Sequence, residues 1–387
     1  MKTTRHQKGY VYKKGRWWYV RFYDDVMQEN GSIERIQVAR KVAPVCDDYR
    51  TKRSVLPVVE EMLRPLNNGH YAPESTMTVE RFVDTIYLPY VTKQKRPSTF
   101  RGYRDIWEYH LKARCGIVRL RDFHTSTGEQ LLADIAHSND LSRTMLKHIK
   151  SVLSGVFKHA RRLGVLHTAN PMQDVSIPKA REGAETRFYT PKEITRMFFV
   201  LPEPASTIAA LAAFTGMRRG ELAALVWENY EGVSVRVTQS VWGSHISKPK
   251  TRQSEAPVPV IAPLATKLES YRQTQGNPTS GLMFPSRKGT PLNLNNLLNR
   301  VIRPAFDRAG LEWKGWHAFR RGLATNLYQL GVPDKTIQTI LRHSDVSTTL
   351  RHYVKTSSAD AVQAMRSLEA ICTSMHHSTE VELERVV

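Results

Sequence analysis

The sequence predicts a multidomain chain: a small α+β module made of a three-stranded sheet plus one helix, then an all-α segment, then a larger mixed α/β segment that is mainly helical. Three observations carry this. At 387 residues the chain is long enough for two or three cores, and 41% hydrophobic residues suffice to fill them. The hydrophobic period is strand-like in the first forty residues and becomes helical from Thr78. Two polar stretches interrupt the chain, residues 71–75 with Pro73 and residues 177–187 with Pro178 and Gly183. The expected divisions are 1–70, 75–178, 187–372 and a tail, 373–387.

In the first module, Trp17-Trp18-Tyr19-Val20-Arg21-Phe22-Tyr23 is aromatic and weakly alternating. Trp18, Val20 and Phe22 would face a small core, with Trp17, Tyr19, Arg21 and Tyr23 outward. Asn30-Gly31 signals a hairpin turn, residues 33–39 supply a return strand, and a helix over about 47–66 would cover one face. Lys8, Lys13, Lys14, Arg16 and Arg21 lie on or near this sheet. The aromatic run reads as a strand core, as a nucleic-acid-contacting face, or as both, since opposite faces of one sheet are free to do different work.

In the second segment, Phe82, Ile86 and Leu88 open one amphipathic helix and a second follows Arg96-Pro97-Ser98. Residues 142–163 are the clearest helix, with Met145, Ile149, Val152, Val156 and Ala160 at helical spacing and Gly164 as C-cap. Lys147, Lys150, Lys158, Arg161 and Arg162 give it a basic face, either solvated or tracking phosphates. The third segment opens on a capping box, Thr190-Pro191-Lys192-Glu193. Residues 208–216 form the most apolar stretch, too short to cross a bilayer and readable as a buried helix.

Lys plus Arg number 57 against 36 Asp plus Glu, a formal net charge of +21, so a polyanion is the expected partner. Nucleic acid leads, and nothing else supports the competing anionic membrane surface. Cys46, Cys115 and Cys372 are an odd, scattered set, which predicts reduced thiols rather than a disulfide framework. The basic start, MKTTRHQKGYVYKK, has no apolar core segment, so no secretory signal is expected there. No cluster has metal-ligand spacing, no GxxxxGK[ST] loop occurs, and His148, His159, His376 and His377 read as structural.

Three segments carry the chemistry. In Leu211-Ala-Ala-Phe-Thr-Gly-Met-Arg-Arg-Gly-Glu-Leu, a buried helix breaks at Thr215-Gly216, presents Arg218, and resumes through Glu221 and Leu222; Arg219 is the less favoured alternative to Arg218. In His317-Ala-Phe-Arg320, His and Arg stand three apart and share one helix face. In Leu341-Arg-His343-Ser-Asp-Val-Ser-Thr-Thr-Leu-Arg-His-Tyr353, a His precedes a Tyr by ten residues.

Together, in this order and spacing, the three segments resemble the tyrosine recombinase family of phage-type site-specific integrases. The likeness is firm over residues 187–356 and weakest in the N-terminal module. It implies that Arg218 and Arg320 clamp a scissile phosphate, Tyr353 attacks it, His343 hydrogen-bonds a non-bridging oxygen, His317 assists proton transfer, and Glu221 orients the site. It also implies a lysine on a β-hairpin: residues 247–260 have that shape, with Lys250 favoured over Lys248. Two positions depart from the family pattern. Arg342 stands where Gly often precedes the His, and Phe319 stands where Leu is common; both bear on local packing rather than on a reacting group.

The residue types suit the reaction on physical grounds. A phosphodiester repels nucleophiles and gains charge on its non-bridging oxygens during attack, and a pair of permanently charged, bidentate guanidiniums meets that need. Tyrosine, with a reference pKa of about 10, needs a positive field or a base to attack near neutral pH. The leaving 5′-oxygen needs a proton, which a nearby lysine supplies. No cofactor or metal ion is expected.

The resemblance further implies an arm-type DNA-binding sheet module, a helical core-binding domain, and a homotetramer working on core and arm-type attachment sites through a Holliday junction. It leaves room for a DNA-bending accessory protein or an excisionase, and points to the cytoplasm of a bacterial host, at the nucleoid. Residues 359–371 would dock on a neighbouring protomer or on their own domain. The rival readings are a DNA-relaxing topoisomerase and a non-catalytic DNA-binding regulator; the intact Arg218, Lys250, His317, Arg320, His343 and Tyr353 argue against the regulator.

Overall fold

A computed structural model of the chain describes residues 6–28, 30–69, 72–183, 186–243, 245–248 and 256–342. The chain divides into two compact units, Met1–Ala184 and Glu185–Val387.

The first unit begins with an antiparallel sheet of β1 (Tyr10–Lys14), β2 (Trp17–Met27) and β3 (Ile33–Pro44), in that order. The alternation read in the sequence holds. Trp18, Val20 and Phe22 are buried, while Arg21 and Tyr23 are exposed and Trp17 and Tyr19 half-buried. The tight turn is Gly15-Arg16 between β1 and β2, where Lys14 pairs with Trp17 and Gly15 takes φ +61. Asn30-Gly31 lies, as expected, in the hairpin connection between β2 and β3, where Met27 pairs with Ile33 and the Met27 N–H donates to Thr76 Oγ1 at 2.9 Å. Helix α1 (Lys52–Asn67) starts at the capping box of Thr51 and Ser54, later than the periodicity suggested. Its Val55, Val59 and Leu63 close over Val11, Trp18, Val20 and Phe22.

The rest of this unit is helical. α2 (Val79–Phe82) runs through a π turn (Val83–Tyr87) into α3 (Leu88–Gln94). α4 (Pro97–Ile106) runs through another (Trp107–Leu111) into α5 (Lys112–Cys115). α6 (Thr125–Ser138) and α7 (Arg143–Arg162) follow. Ser142 caps α7, and Leu146, Ile149, Val152, Leu153, Val156, Phe157 and Ala160 are its buried stripe; Met145, expected inward, is half-buried beside Leu146. Lys147, Lys158, Arg161 and Arg162 are exposed. Lys150 leaves this basic set, since its Nζ donates to the carbonyls of Gln173 (3.1 Å) and Val175 (2.6 Å). Sheet and helices meet through a buried, two-pronged ion pair of Arg121 with Asp24, and through Arg40 to Asp122 at 2.9 Å. Cys115 is buried and Cys46 exposed, both free; Cys372 lies outside the described residues.

The second unit opens with α8 (Pro191–Val200), held by the expected capping box of Thr190 and Glu193. α9 (Ala205–Thr215) is apolar all round and lies at the centre of the core, beside α8, α11 (Ala262–Thr274) and α14 (Trp316–Gln329). After α9 come α10 (Arg219–Leu222) and short strands: β4 (Ser234–Val235) pairs with β7 (Val258–Pro259), and β5 (Ser240–Trp242) with β6 (His245–Ser247). The two described ends of the segment 247–260 therefore belong to different two-stranded sheets, and the hairpin lies just upstream. α12 (Leu294–Leu297), a π turn (Leu298–Ile302), α13 (Arg303–Ala309), α14 and α15 (Asp334–Leu341) complete the described part.

Candidate active site

The site is built where α9 stops. Gly216 takes φ +60, and a Cβ there would stand 2.7 Å from Leu341 Cδ2, so both the backbone and the packing favour glycine. The sharp turn delivers Arg218 to the N-cap of α10, as the sequence pattern suggested. Arg218 then folds onto Glu221: its N–H donates to Oε2 at 3.0 Å and its Nη1 to Oε1 at 2.8 Å. Arg219 diverges, with Nη1 on Asn295 Oδ1 at 2.7 Å, which favours Arg218 for the central role.

Arg320 and His317 come from the first turns of α14. Arg320 is buried and spans two helix ends, donating from Nη1 to the Gly216 carbonyl at 2.7 Å and from Nη2 to the Leu341 carbonyl. Phe319 is buried against Tyr189, with ring centroids 4.5 Å apart, so the larger side chain at this position is absorbed by an aromatic cluster that includes Trp313 and Trp316. His317 keeps an accessible side chain. Partial loss of hydration first, then the positive charges of Arg320, Arg321, Arg218 and Arg219, lower its pKa below the ordinary histidine value. A neutral imidazole amid guanidiniums is suited to taking up or passing a proton.

Glu221 is the buried anion of the cluster, 3% exposed. Burial alone would raise its pKa. The charge of Arg342, then the N–H and guanidinium of Arg218, outweigh burial and hold the carboxyl below the usual range. Arg342 Nη2 reaches Glu221 Oε2 at 2.8 Å, a contact that no motif announced. The signal available was a charged residue where glycine is common.

Arg218, Glu221, His317 and Arg320 are thus brought together from two distant segments around the C-terminus of α9. Lys250, His343 and Tyr353, and the C-terminal residues 359–371, lie outside the described residues. Lys248 is described and exposed. It follows the β5–β6 hairpin, which seats tightly against α10, since a Cβ on Gly220 would stand 2.6 Å from the Val241 carbonyl oxygen. No group of His, Cys, Asp and Glu that could hold a metal ion occurs among the described residues, and no described helix is long and apolar enough to cross a membrane.

Comparison with known proteins gives this cluster a setting. The profile of the phage integrase family matches residues 187–359. The chain is 24% identical to a XerC-like tyrosine recombinase of Caldanaerobacter subterraneus subsp. tengcongensis over 361 residues, covering 82% of this chain and 90% of that protein. In fold it is similar to the Tn1549 transposon integrase solved with transposon right-end DNA, with a TM-score of 0.62 at 17% identity, over 76% of this chain and all of that one. A lambda integrase tetramer bound to a Holliday junction matches 91% of this chain and 97% of its own, with a TM-score of 0.57 at 16% identity. Sequence profile, relative and fold agree with the order of the motifs: residues 187–359 match the phage integrase family, and the chain is similar to tyrosine recombinases over most of its length.

Proposed function

We propose that this protein is a site-specific DNA recombinase that integrates, and in the reverse direction excises, a phage or mobile element. Tyr353 attacks the scissile phosphorus, the bond to the 5′-oxygen breaks, and a 3′-phosphotyrosyl link forms. The leaving oxygen takes a proton from Lys250, and the 5′-hydroxyl of a partner strand reverses the step. Arg218 and Arg320 neutralise the phosphate, His343 donates to a non-bridging oxygen, and His317 relays a proton. The link conserves the phosphoester bond, so resealing draws on no external energy source.

The observation that carries this reading is the convergence of Arg218, Glu221, His317 and Arg320, from segments about a hundred residues apart, on one turn. Removing one preorganised donor of such a clamp costs roughly 100- to 1,000-fold in rate. Two features support separate DNA contacts. Lys147, Lys158, Arg161 and Arg162 form an exposed basic set on α7, suited to core DNA. The open face of the N-terminal sheet alternates rings and cations, with Lys41 Nζ 3.2 Å from the Trp17 ring centroid and Arg21 over Tyr12 at 5.3 Å, suited to an arm-type site. A homotetramer on two duplexes through a Holliday junction, with an accessory bending protein or excisionase setting direction, is the assembly this reading calls for, at the nucleoid of a bacterial host.

The test is a suicide DNA substrate carrying a junction sequence from the element. Wild type should give a covalent protein–DNA adduct, and Tyr353→Phe none. Specific binding without any adduct would favour a regulator, relaxation of plasmid lacking a paired site would favour a topoisomerase, and an undiminished adduct from Tyr353→Phe would remove Tyr353 as nucleophile.

A further inference from the structure

Arg342 occupies the last described position before His343, where glycine is common in the family. It adopts φ +56, in the left-handed region, and among the described residues only Asn277 shares that departure without being glycine. An arginine held in such a backbone, with its guanidinium buried, needs a compensating contact. Glu221 provides it, through an ion pair whose side chains are 2% and 3% exposed. The same carboxylate serves Arg218 on both oxygens.

We propose that Arg342 is a positioning residue for DNA cleavage: by sharing Glu221 it leaves Arg218 with charge to offer the phosphate, and it fixes where the chain departs toward His343. The inference rests on the recombinase reading. Its electrostatic part is simple. Glu221 with Arg218 alone is a neutral pair. With Arg342 the trio carries one net positive charge, and its Glu221 and Arg342 members are buried, where charge is weakly screened, while Arg218 keeps a half-exposed side chain. Its geometric part is that Arg320 and Glu221 both reach the end of α15. Arg320 bonds the Leu341 carbonyl, and the next residue, Arg342, is held by Glu221. The end of α15 is therefore tied to the Arg218 turn from two directions. Burial, the left-handed backbone and the shared carboxylate together distinguish Arg342 from a solvated surface charge.

The experiment uses the full chain and single-turnover adduct formation on the suicide substrate at saturating DNA. Arg342→Gly removes the guanidinium and suits the backbone. It should keep the circular dichroism spectrum, change non-covalent affinity for the core site by less than about threefold, and slow adduct formation by roughly tenfold or more. Arg342→Lys should recover part of the rate. The discriminating variant is Glu221→Gln in the Arg342→Gly background. If Arg342 acts by sharing Glu221's charge, neutralising that carboxylate should raise the rate above that of Arg342→Gly alone, an outcome a purely structural arginine would not give. A wild-type rate for Arg342→Gly, or a further fall in the double variant, overturns the proposal. Should Arg342→Gly fail to fold, Arg342→Asn, which tolerates the left-handed backbone, takes its place. A wild-type protein that forms no adduct would sink the recombinase reading and this inference with it, whereas a normal wild-type adduct beside an indifferent Arg342 variant sinks this inference alone.

Discussion

His317 titrates in a field set by its neighbours. Partial desolvation and four arginines favour its neutral form, so its folded pKa lies below the unfolded value of 6.5. The sign follows from proton counting. Just below pH 6.5 the unfolded chain binds more protons at this position than the folded one. The stability tied to a neutral His317 is therefore complete above that pH and declines as pH falls toward the folded value. In the free protein, the NMR titration of the His317 ring should show a midpoint below 6.5. Bound DNA brings phosphate charge and should move the midpoint upward. A midpoint at or above 6.5 without DNA would contradict the arrangement of Arg218, Arg320 and Arg321 around it. Glu221 behaves oppositely. Its carboxyl is held below its ordinary value of 4.5, so its contribution is present above that pH and is lost only on further acidification. As pH falls, the decline of His317's contribution therefore begins before that of Glu221's.

The break between α9 and α10 shows what an element's end accomplishes. Gly216 combines a left-handed backbone, a close approach to Leu341 and a carbonyl that receives Arg320. Gly216→Ala should destabilise the catalytic unit by about 2 kcal/mol, on the order of 5 °C in Tm, and slow cleavage by displacing Arg320; an unchanged Tm would show that the turn relaxes freely. This break was legible in the sequence, as were the alternation over residues 17–23, the capping box at 190–193 and the buried stripe of α7, because each is a local pattern with a local cause. Long-range partners were not legible. Lys150 looked like one more member of a basic face, yet it holds two carbonyls from the following loop. Residues 247–260 looked like a hairpin, yet Val258 pairs with Val235. Arg342 is 121 residues from Glu221. A charged residue carries no mark of whether it faces water or a distant carboxylate, so these pairings emerge only when the chain is folded.

Within the first unit a buried ion pair ties the sheet to the helices. Asp24 and Arg121 pair with side-chain exposures of 2% and 5%, 97 residues apart in sequence. Removing one partner of such a pair costs roughly 3–5 kcal/mol, since the other is left buried and uncompensated. Asp24→Asn removes the carboxylate that faces the buried Arg121 guanidinium, and parting the sheet from the helices would let that guanidinium regain water. The hydrogen bond from the Met27 N–H to Thr76 Oγ1 lies on the same seam and reports its opening. Hydrogen exchange at Met27 should therefore accelerate in Asp24→Asn, while amides in the middle of α7, around Val152 and Val156, keep their protection. Reversing the pair, with Asp24→Arg and Arg121→Asp together, should slow exchange at Met27 again. If exchange at Met27 and in α7 rises in parallel, the unit unfolds as a whole rather than opening at the seam. If neither changes, the buried pair does not hold the sheet in place. Opening at the seam would mean that this ion pair helps to fix the orientation of the aromatic and cationic sheet face, and binding of the proposed arm-type DNA should then weaken in Asp24→Asn although no residue on that face has been altered.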